Sequence, residues 1–388
     1  MKKVIAVAAG LMLTGALVTT ASAAVSFSGD ARIRGYYEQD YDFGRTVPVV
    51  EGQFFPRIRT NEEDIKANSR YRVKINADAK GGAYVRSRIV IGNGTHDTAG
   101  GGKTGVTTDY MYVGMPIGPV TVEGGRMPAN VTKWFLWDRR YDMIIGKWAN
   151  EMTALEFWYV KNAETDNLND DDDITTYVGK LDQKFAGDWG LTIGAGYVDD
   201  QQTDEDRSGF IGTIGFNGPA GPISLAGEFS YAESDVEQAE DDGYGGYLEG
   251  GMNFGATSVT LMGGWAGEGF VADDDFGWIM LGGASSITPS GTAEFGAFAG
   301  VPVDTSFIGA TVGFKASEAL SLTGILAYAD FDDFGDGFEI SGRAVYQVSD
   351  GANIQYDIGY LSWSYDSDIL DEGAEVPFGM ALTLNVSF

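Results

Sequence analysis

Residues 69–80 read SRYRVKINADAK, with Arg70, Arg72 and Lys74 on every second position and Tyr71, Val73 and Ile75 between them. A period of two puts the cations on one face of an extended strand and the apolar side chains on the other. The arrangement recurs. Arg32 and Arg34 flank Ile33, Arg57 and Arg59 flank Ile58, Arg86 and Arg88 flank Ser87 between Val85 and Ile89, and Arg126 follows TVEGG. Such a set can attract and guide anions, but it contains no nucleophile and no general base. The chain that carries it has 388 residues and a formal charge of −30.

Motifs with other chemistry fail on their spacing. AGGGKTG (99–105) imitates a phosphate-binding loop, but Asp97 stands where the first glycine belongs, and no strand and helix flank it. The single histidine, His96, has only its neighbour Asp97 as an acidic partner, an awkward dyad for general-base work. DFDDFGDGFEIS begins like a calcium loop at Asp330 and Asp332, then puts Phe334 and Ser341 where oxygen ligands and the closing glutamate belong. No catalytic residue, metal or cofactor is therefore expected, and with no cysteine there is no haem attachment site. The acidic balance also speaks against nucleic acid.

The elements that would position the cations are strands. The first residues, MKKVIAVAAGLMLTGALVTTASA, read as a secretory signal peptide of residues 1–23, with Ala21-Ser22-Ala23 as the cleavage site and 24–388 as the mature part. Glycine numbers 56, with 19 Tyr, 22 Phe and 8 Trp, a balance that favours strands and turns over helices. WGLTIGAGY (189–197), ISLAGEFSY (223–231), SVTLMGGW (258–265) and LSLTGILAY (320–328) each alternate an apolar face with a small or polar one.

Short turns are expected at Lys80-Gly81-Gly82, Ile117-Gly118-Pro119, Ala186-Gly187-Asp188, Pro219-Ala220-Gly221-Pro222, Gly255-Ala256-Thr257 and Asp350-Gly351-Ala352. Long acidic stretches lie at the other strand ends: 164–173, 199–208, 233–244, 330–337 and 366–377. Charge follows this division. Residues 24–160 hold 18 Lys and Arg against 16 Asp and Glu, and the remainder holds 6 against 40. Short turns opposite long loops, and aromatic residues at the ends of apolar faces, fit an all-β fold: a transmembrane antiparallel β-barrel of about eighteen strands, or sixteen if segments near 270–306 merge.

In that barrel the cations must face the lumen, since a cation at the lipid midplane costs about 2–4 kcal/mol. The last strand, PFGMALTLNVSF, alternates outward from Phe378 to Phe388. Its terminal phenylalanine resembles the signal that outer-membrane proteins present to the barrel-assembly machinery.

With signal, strand rhythm, arginine ladder and terminal Phe388, the chain resembles the trimeric general-diffusion porins of Gram-negative outer membranes. The resemblance implies a homotrimer in the outer membrane, in contact with lipid and lipopolysaccharide, that passes small hydrophilic solutes by diffusion. It also implies that the third long loop folds inward as a constriction, here MPANVTKWFLWDRRYDM (127–143). The pore-lining residues would be Arg32, Arg34, Arg70, Arg72, Lys74, Arg86, Arg88 and Arg126 on the wall, and Asp138 and Asp142 on the loop. Lys133, Arg139 and Arg140 on the same loop blur that division. Trp134, Phe135, Leu136 and Trp137 would pin the loop to the wall. Clustered cations favour anions, so a mild anion preference is expected. The other readings are a substrate-specific channel and a plugged structural or adhesive barrel whose acidic loops bind cations.

Overall fold

The computed structural model describes residues 24–39, 63–96, 105–132, 139–163, 174–200, 208–233, 242–267, 277–281, 304–332, 335–364 and 377–388. They contain eighteen strands: β1 (Ala24–Gln39), β2 (Glu63–Asp78), β3 (Tyr84–His96), β4 (Val106–Ile117), β5 (Val120–Ala129), β6 (Arg139–Ala149), β7 (Thr153–Ala163), β8 (Ile174–Phe185), β9 (Trp189–Asp200), β10 (Gly209–Ala220), β11 (Ile223–Ala232), β12 (Gly243–Phe254), β13 (Thr257–Ala266), β14 (Thr305–Lys315), β15 (Leu320–Phe331), β16 (Gly335–Ser349), β17 (Ala352–Ser364) and β18 (Phe378–Ser387). Each pairs antiparallel with its sequence neighbours, and β18 pairs with β1, so the sheet closes on itself. Closure leaves no unpaired edge. Eighteen is the expected count; the alternative of sixteen fails because β13 and β14 are separate strands on either side of 267–304.

Alternation decides what faces where. Ile193, Ile214, Phe229, Leu248, Leu261 and Ile308 stand exposed on the outside, and the residues between them point inward. Near the long-loop end, Tyr159, Tyr177, Tyr197 and Phe210 are successive lateral partners across β7–β10. Tyr159 and Tyr177 meet edge-on at 5.7 Å, and Tyr197 and Phe210 lie 4.9 Å apart. An outward aromatic row of this kind marks the border of an apolar belt.

The six expected turns all join strands. At Gly118 (φ 62°) and Gly221 (φ 66°) the backbone is left-handed, where a side chain would be strained. Two further turns lack such glycines and are closed by side chains instead. Asn150 Oδ1 accepts the N–H groups of Met152 and Thr153 at 2.8 Å, and Ser317 Oγ accepts that of Leu320 at 3.0 Å.

The terminus completes the closure. Phe388 exchanges two backbone hydrogen bonds with Gly29, at 2.8 and 3.0 Å. Its ring lies where a side chain on residue 29 would be, 2.6 Å from the position of a Cβ. Two expectations about loops are corrected. The stretch 330–337 is mostly strand, because β15 runs to Phe331 and β16 starts at Gly335, with Asp330 opposite Asp336. The stretch 127–143 is not one loop: β5 continues to Ala129 and β6 begins at Arg139.

Candidate functional site: an arginine row along the lumen

The ladder on β2 and its neighbours faces inward, as alternation requires. Register then fixes the pairs. Arg32 on β1 is the lateral partner of Arg70 on β2, Asp30 of Arg72, and Ser28 of Lys74. Lys74 lies opposite Arg88 on β3, and Asn76 opposite Arg86.

Some of these cations are paired. Arg72 Nε contacts both oxygens of Asp30, at 2.9 and 3.0 Å. Arg86 bonds Asp78 at 2.6 Å and lies 4.5 Å above the ring of Tyr84. A β-bulge brings Asp109 of β4 beside Arg88, which bonds one oxygen while Arg140 Nε reaches the other at 3.1 Å. The wall continues on β16, where Arg343 bonds the fully buried Asp357 of β17 at 2.6 Å. Arg343 was not among the expected residues, although SGR repeats the alternation at Ser341 and Arg343.

Three arginines differ from the rest. Arg32, Arg34 and Arg70 form no ion pair among the described residues, and each has a buried Nε without a hydrogen-bond partner. Arg34 is only 6 % exposed. Its lateral partners are Asn68 on β2 and Thr383 on β18, and Asn68 Oδ1 and Thr383 Oγ1 are buried and unpartnered too. Unsatisfied buried polar atoms cost about 1–3 kcal/mol each. Five lie in one patch, three guanidinium Nε donors, one hydroxyl and one amide oxygen, with Arg32 and Arg70 among them as a like-charge pair.

The rest of the lumen is not uniformly polar, contrary to the sequence reading. Ile145, Trp158, Val178, Ile211 and Ala232 belong to one lateral row of the inner wall across β6–β11, and all are buried. Met143, Val160 and Val198 lie in the row nearer the long loops. The chain leaving β5 covers this patch. Asn130 O accepts from Lys180 Nζ of β8 at 3.1 Å, and Val131 Cγ1 sits 2.5 Å from where a Cβ on Gly194 of β9 would be. Thr132 Oγ1 donates to Glu228 of β11, which also accepts from Thr213 and Ser230.

A second segment, 277–281 of the β13–β14 connection, lies against the inner face of β14–β17. Trp278, Ile279, Met280 and Leu281 are buried there, with Trp278 against Phe307 of β14 and the Met280 and Leu281 N–H groups on Glu339 of β16, whose lateral partners are Ala327 and Leu361. Two sectors of the lumen are thus occupied by apolar packing. The sector of β18 and β1–β3 holds the arginines. Nine strands away from β2 and β3, β11 and β12 carry the inward carboxylates Glu228 and Glu249.

Comparison with solved structures identifies this architecture. The Pseudomonas aeruginosa outer membrane protein OprD superposes with a TM-score of 0.59 at 13 % identity, covering 95 % of this chain and 96 % of that one. Pseudomonas aeruginosa OpdQ gives 0.61 at 9 % identity, with 94 % and 97 % covered, and Acinetobacter baumannii OccAB3 gives 0.60 at 10 %, with 94 % and 99 % covered. The fold is that of these outer-membrane β-barrel structures. No family model matches the sequence, and no curated protein matches it.

Within that fold, the expected residues separate. Arg32, Arg34, Arg70, Arg72, Lys74, Arg86 and Arg88 come together on the inner wall of β1–β3. Arg126 and Asp142 do not join them. They are lateral partners on β5 and β6, 3.7 Å apart, on the outward face that Met111 and Ile144 share, and their side chains are 45 % and 68 % exposed. The physical reason is parity: Glu123, Met127 and Met143 take the inward positions, so the residues at 126 and 142 must turn outward. Arg139 opens β6 opposite Ala129 rather than riding on a loop, and Arg140 follows it in the strand. Asp138 lies outside the described residues, as do Lys133, Trp134, Phe135, Leu136, Trp137, Arg57 and Arg59.

Proposed function

We propose that this barrel is a water-filled channel of a Gram-negative outer membrane, passing small hydrophilic anions along the arginine row. It acts by geometry and field and performs no chemical step. The observation that carries the reading is the patch of Arg32, Arg34 and Arg70, whose buried Nε atoms lack partners. Guanidinium groups present donors in a fork that fits carboxylate or phosphate. Grouped cations in a narrow aqueous passage favour anions, and the low-dielectric wall limits screening by salt. The fold of the similar outer-membrane proteins supports the location, with residues 1–23 as export signal and Phe388 as assembly signal.

Two observations favour a channel selective for one class of anion over a wide general-diffusion pore. Apolar packing occupies two sectors of the lumen, and the three arginines that form no ion pair among the described residues are grouped on the one remaining cationic wall. The 130–132 segment on the inner wall supports a constriction formed by the β5–β6 connection.

Single-channel recording in planar bilayers tests the reading. Purified barrel should give discrete current steps, reduced in a concentration-dependent way by a small dicarboxylate or inorganic phosphate, and unaffected by a neutral sugar of similar size. A barrel that inserts and gives no steps is plugged. Steps equally insensitive to every solute point to general diffusion.

A further inference from the structure

Glu339 is an inward residue of β16 with 0 % of its surface exposed. Its lateral partners, Ala327 and Leu361, are themselves buried and apolar. No ion pair reaches this carboxylate among the described residues. It accepts instead from the backbone N–H of Met280 at 3.0 Å and of Leu281 at 2.7 Å, both at Oε2, and from the Ser341 hydroxyl at Oε1. A carboxylate buried in apolar surroundings is costly unless its oxygens are hydrogen-bonded. Both backbone donors belong to the β13–β14 connection, far from β16 in sequence.

The same short segment is wedged at its other end. The Trp278 ring occupies the space that a Cβ on Gly309 of β14 would need, and it meets Phe307 edge-on at 6.1 Å and 75°. Trp278 N donates to Leu281 O at 2.8 Å, closing the turn that presents the two N–H groups to Glu339. The segment is therefore fixed at two points on the inner wall, one polar and one apolar.

We propose that Glu339 is a positioning residue: it fastens 277–281 across the β14–β17 side of the lumen, and the fastened strap narrows the passage so that solute travels beside the arginines. The narrowing rests on the channel reading above; the fastening does not. Glu339→Leu removes every acceptor and releases the strap. Glu339→Gln retains it, since the amide oxygen accepts both N–H groups while the NH₂ donates to the Ser341 hydroxyl.

The chain has no cysteine, so Met280→Cys supplies a single thiol for labelling by a charged, water-soluble thiol reagent. In folded barrels, verified by heat-modifiable gel mobility, that thiol should be protected when residue 339 is the parental glutamate and in the Glu339→Gln background. It should lose protection in the Glu339→Leu background. Single-channel steps should grow in Glu339→Leu and stay at the parental size in Glu339→Gln. A folded Glu339→Leu barrel whose thiol stays protected, or whose step is unchanged, overturns the proposal. Absence of steps from the unsubstituted protein contradicts the channel reading and the narrowing with it, while the labelling still decides the fastening.

Discussion

Arg32 and Arg70 face each other as lateral partners across β1 and β2, and neither Nε has a hydrogen-bond partner. Like charges placed directly opposite destabilise a sheet, by about 0.2–1 kcal/mol on the scale of cross-strand pairs. A site that binds anions holds such a pair at a cost to the empty barrel. Arg70→Gln should therefore leave the urea midpoint of the detergent-solubilised barrel unchanged or raise it, while weakening block of the current by phosphate. A lower midpoint would mean that Arg70 braces the fold instead of serving solute.

Arg126 offers the converse case. It faces outward with Asp142, so its charge is separated from the lumen by the barrel wall. Arg126→Glu should leave the reversal potential of the channel where it was, whereas Arg72→Glu, on the inner wall beside Asp30, should move it toward cations. A shift with Arg126→Glu as large as with Arg72→Glu would place residue 126 inside.

Gly194 is the seat of the segment that follows β5. Val131 stands 2.5 Å from the position a Cβ would take there, so Gly194→Val must displace 130–132 from the inner wall. The barrel should still form, because the sheet register does not depend on that contact, and its single-channel step should change. Gly212→Ala on neighbouring β10, where a Cβ meets nothing closer than 3.5 Å, is the control and should behave as the parent does.

Phe388 extends the β1–β18 ladder that closes the barrel by one further pair, with Gly29. Deleting Phe388 removes two backbone hydrogen bonds to Gly29 and uncovers that glycine. The folded, heat-modifiable fraction recovered on refolding into detergent should fall, and a Phe388→Tyr variant should restore it. Equal yields for the deletion and the full chain would assign closure to the β1–β18 ladder alone.

Much of this was legible as alternation. A single period of two gave eighteen strands and the inward ladder of β1–β3, because a lipid-facing row tolerates almost nothing but apolar residues. Glycine turns were equally plain, while the turns at Asn150 and Ser317 were not, since there side chains close the backbone without a glycine. What stayed hidden is where alternation lapses. Met143-Ile144-Ile145 and Phe157-Trp158-Tyr159-Val160 are apolar on both faces; the inner half packs on chain folded into the lumen, and a lipid-facing strand gives no hint of that. WIML (278–281) is a similar run inside an acidic connection. Parity misled at Arg126 and Asp142, because inward positions there are taken by methionines and a glutamate. Glu339 and Glu228 look like any lumen carboxylate until the segments they hold are seen.

The most direct measurement is the reversal potential of single channels in a tenfold potassium chloride gradient, compared between the parent and the triple variant Arg32→Gln, Arg34→Gln, Arg70→Gln. The parent should reverse on the chloride side of zero, and the variant should move toward the potassium side with its barrel still folded. A parent that prefers potassium, or a variant whose reversal potential coincides with the parent's, would contradict passage of anions along the arginine row.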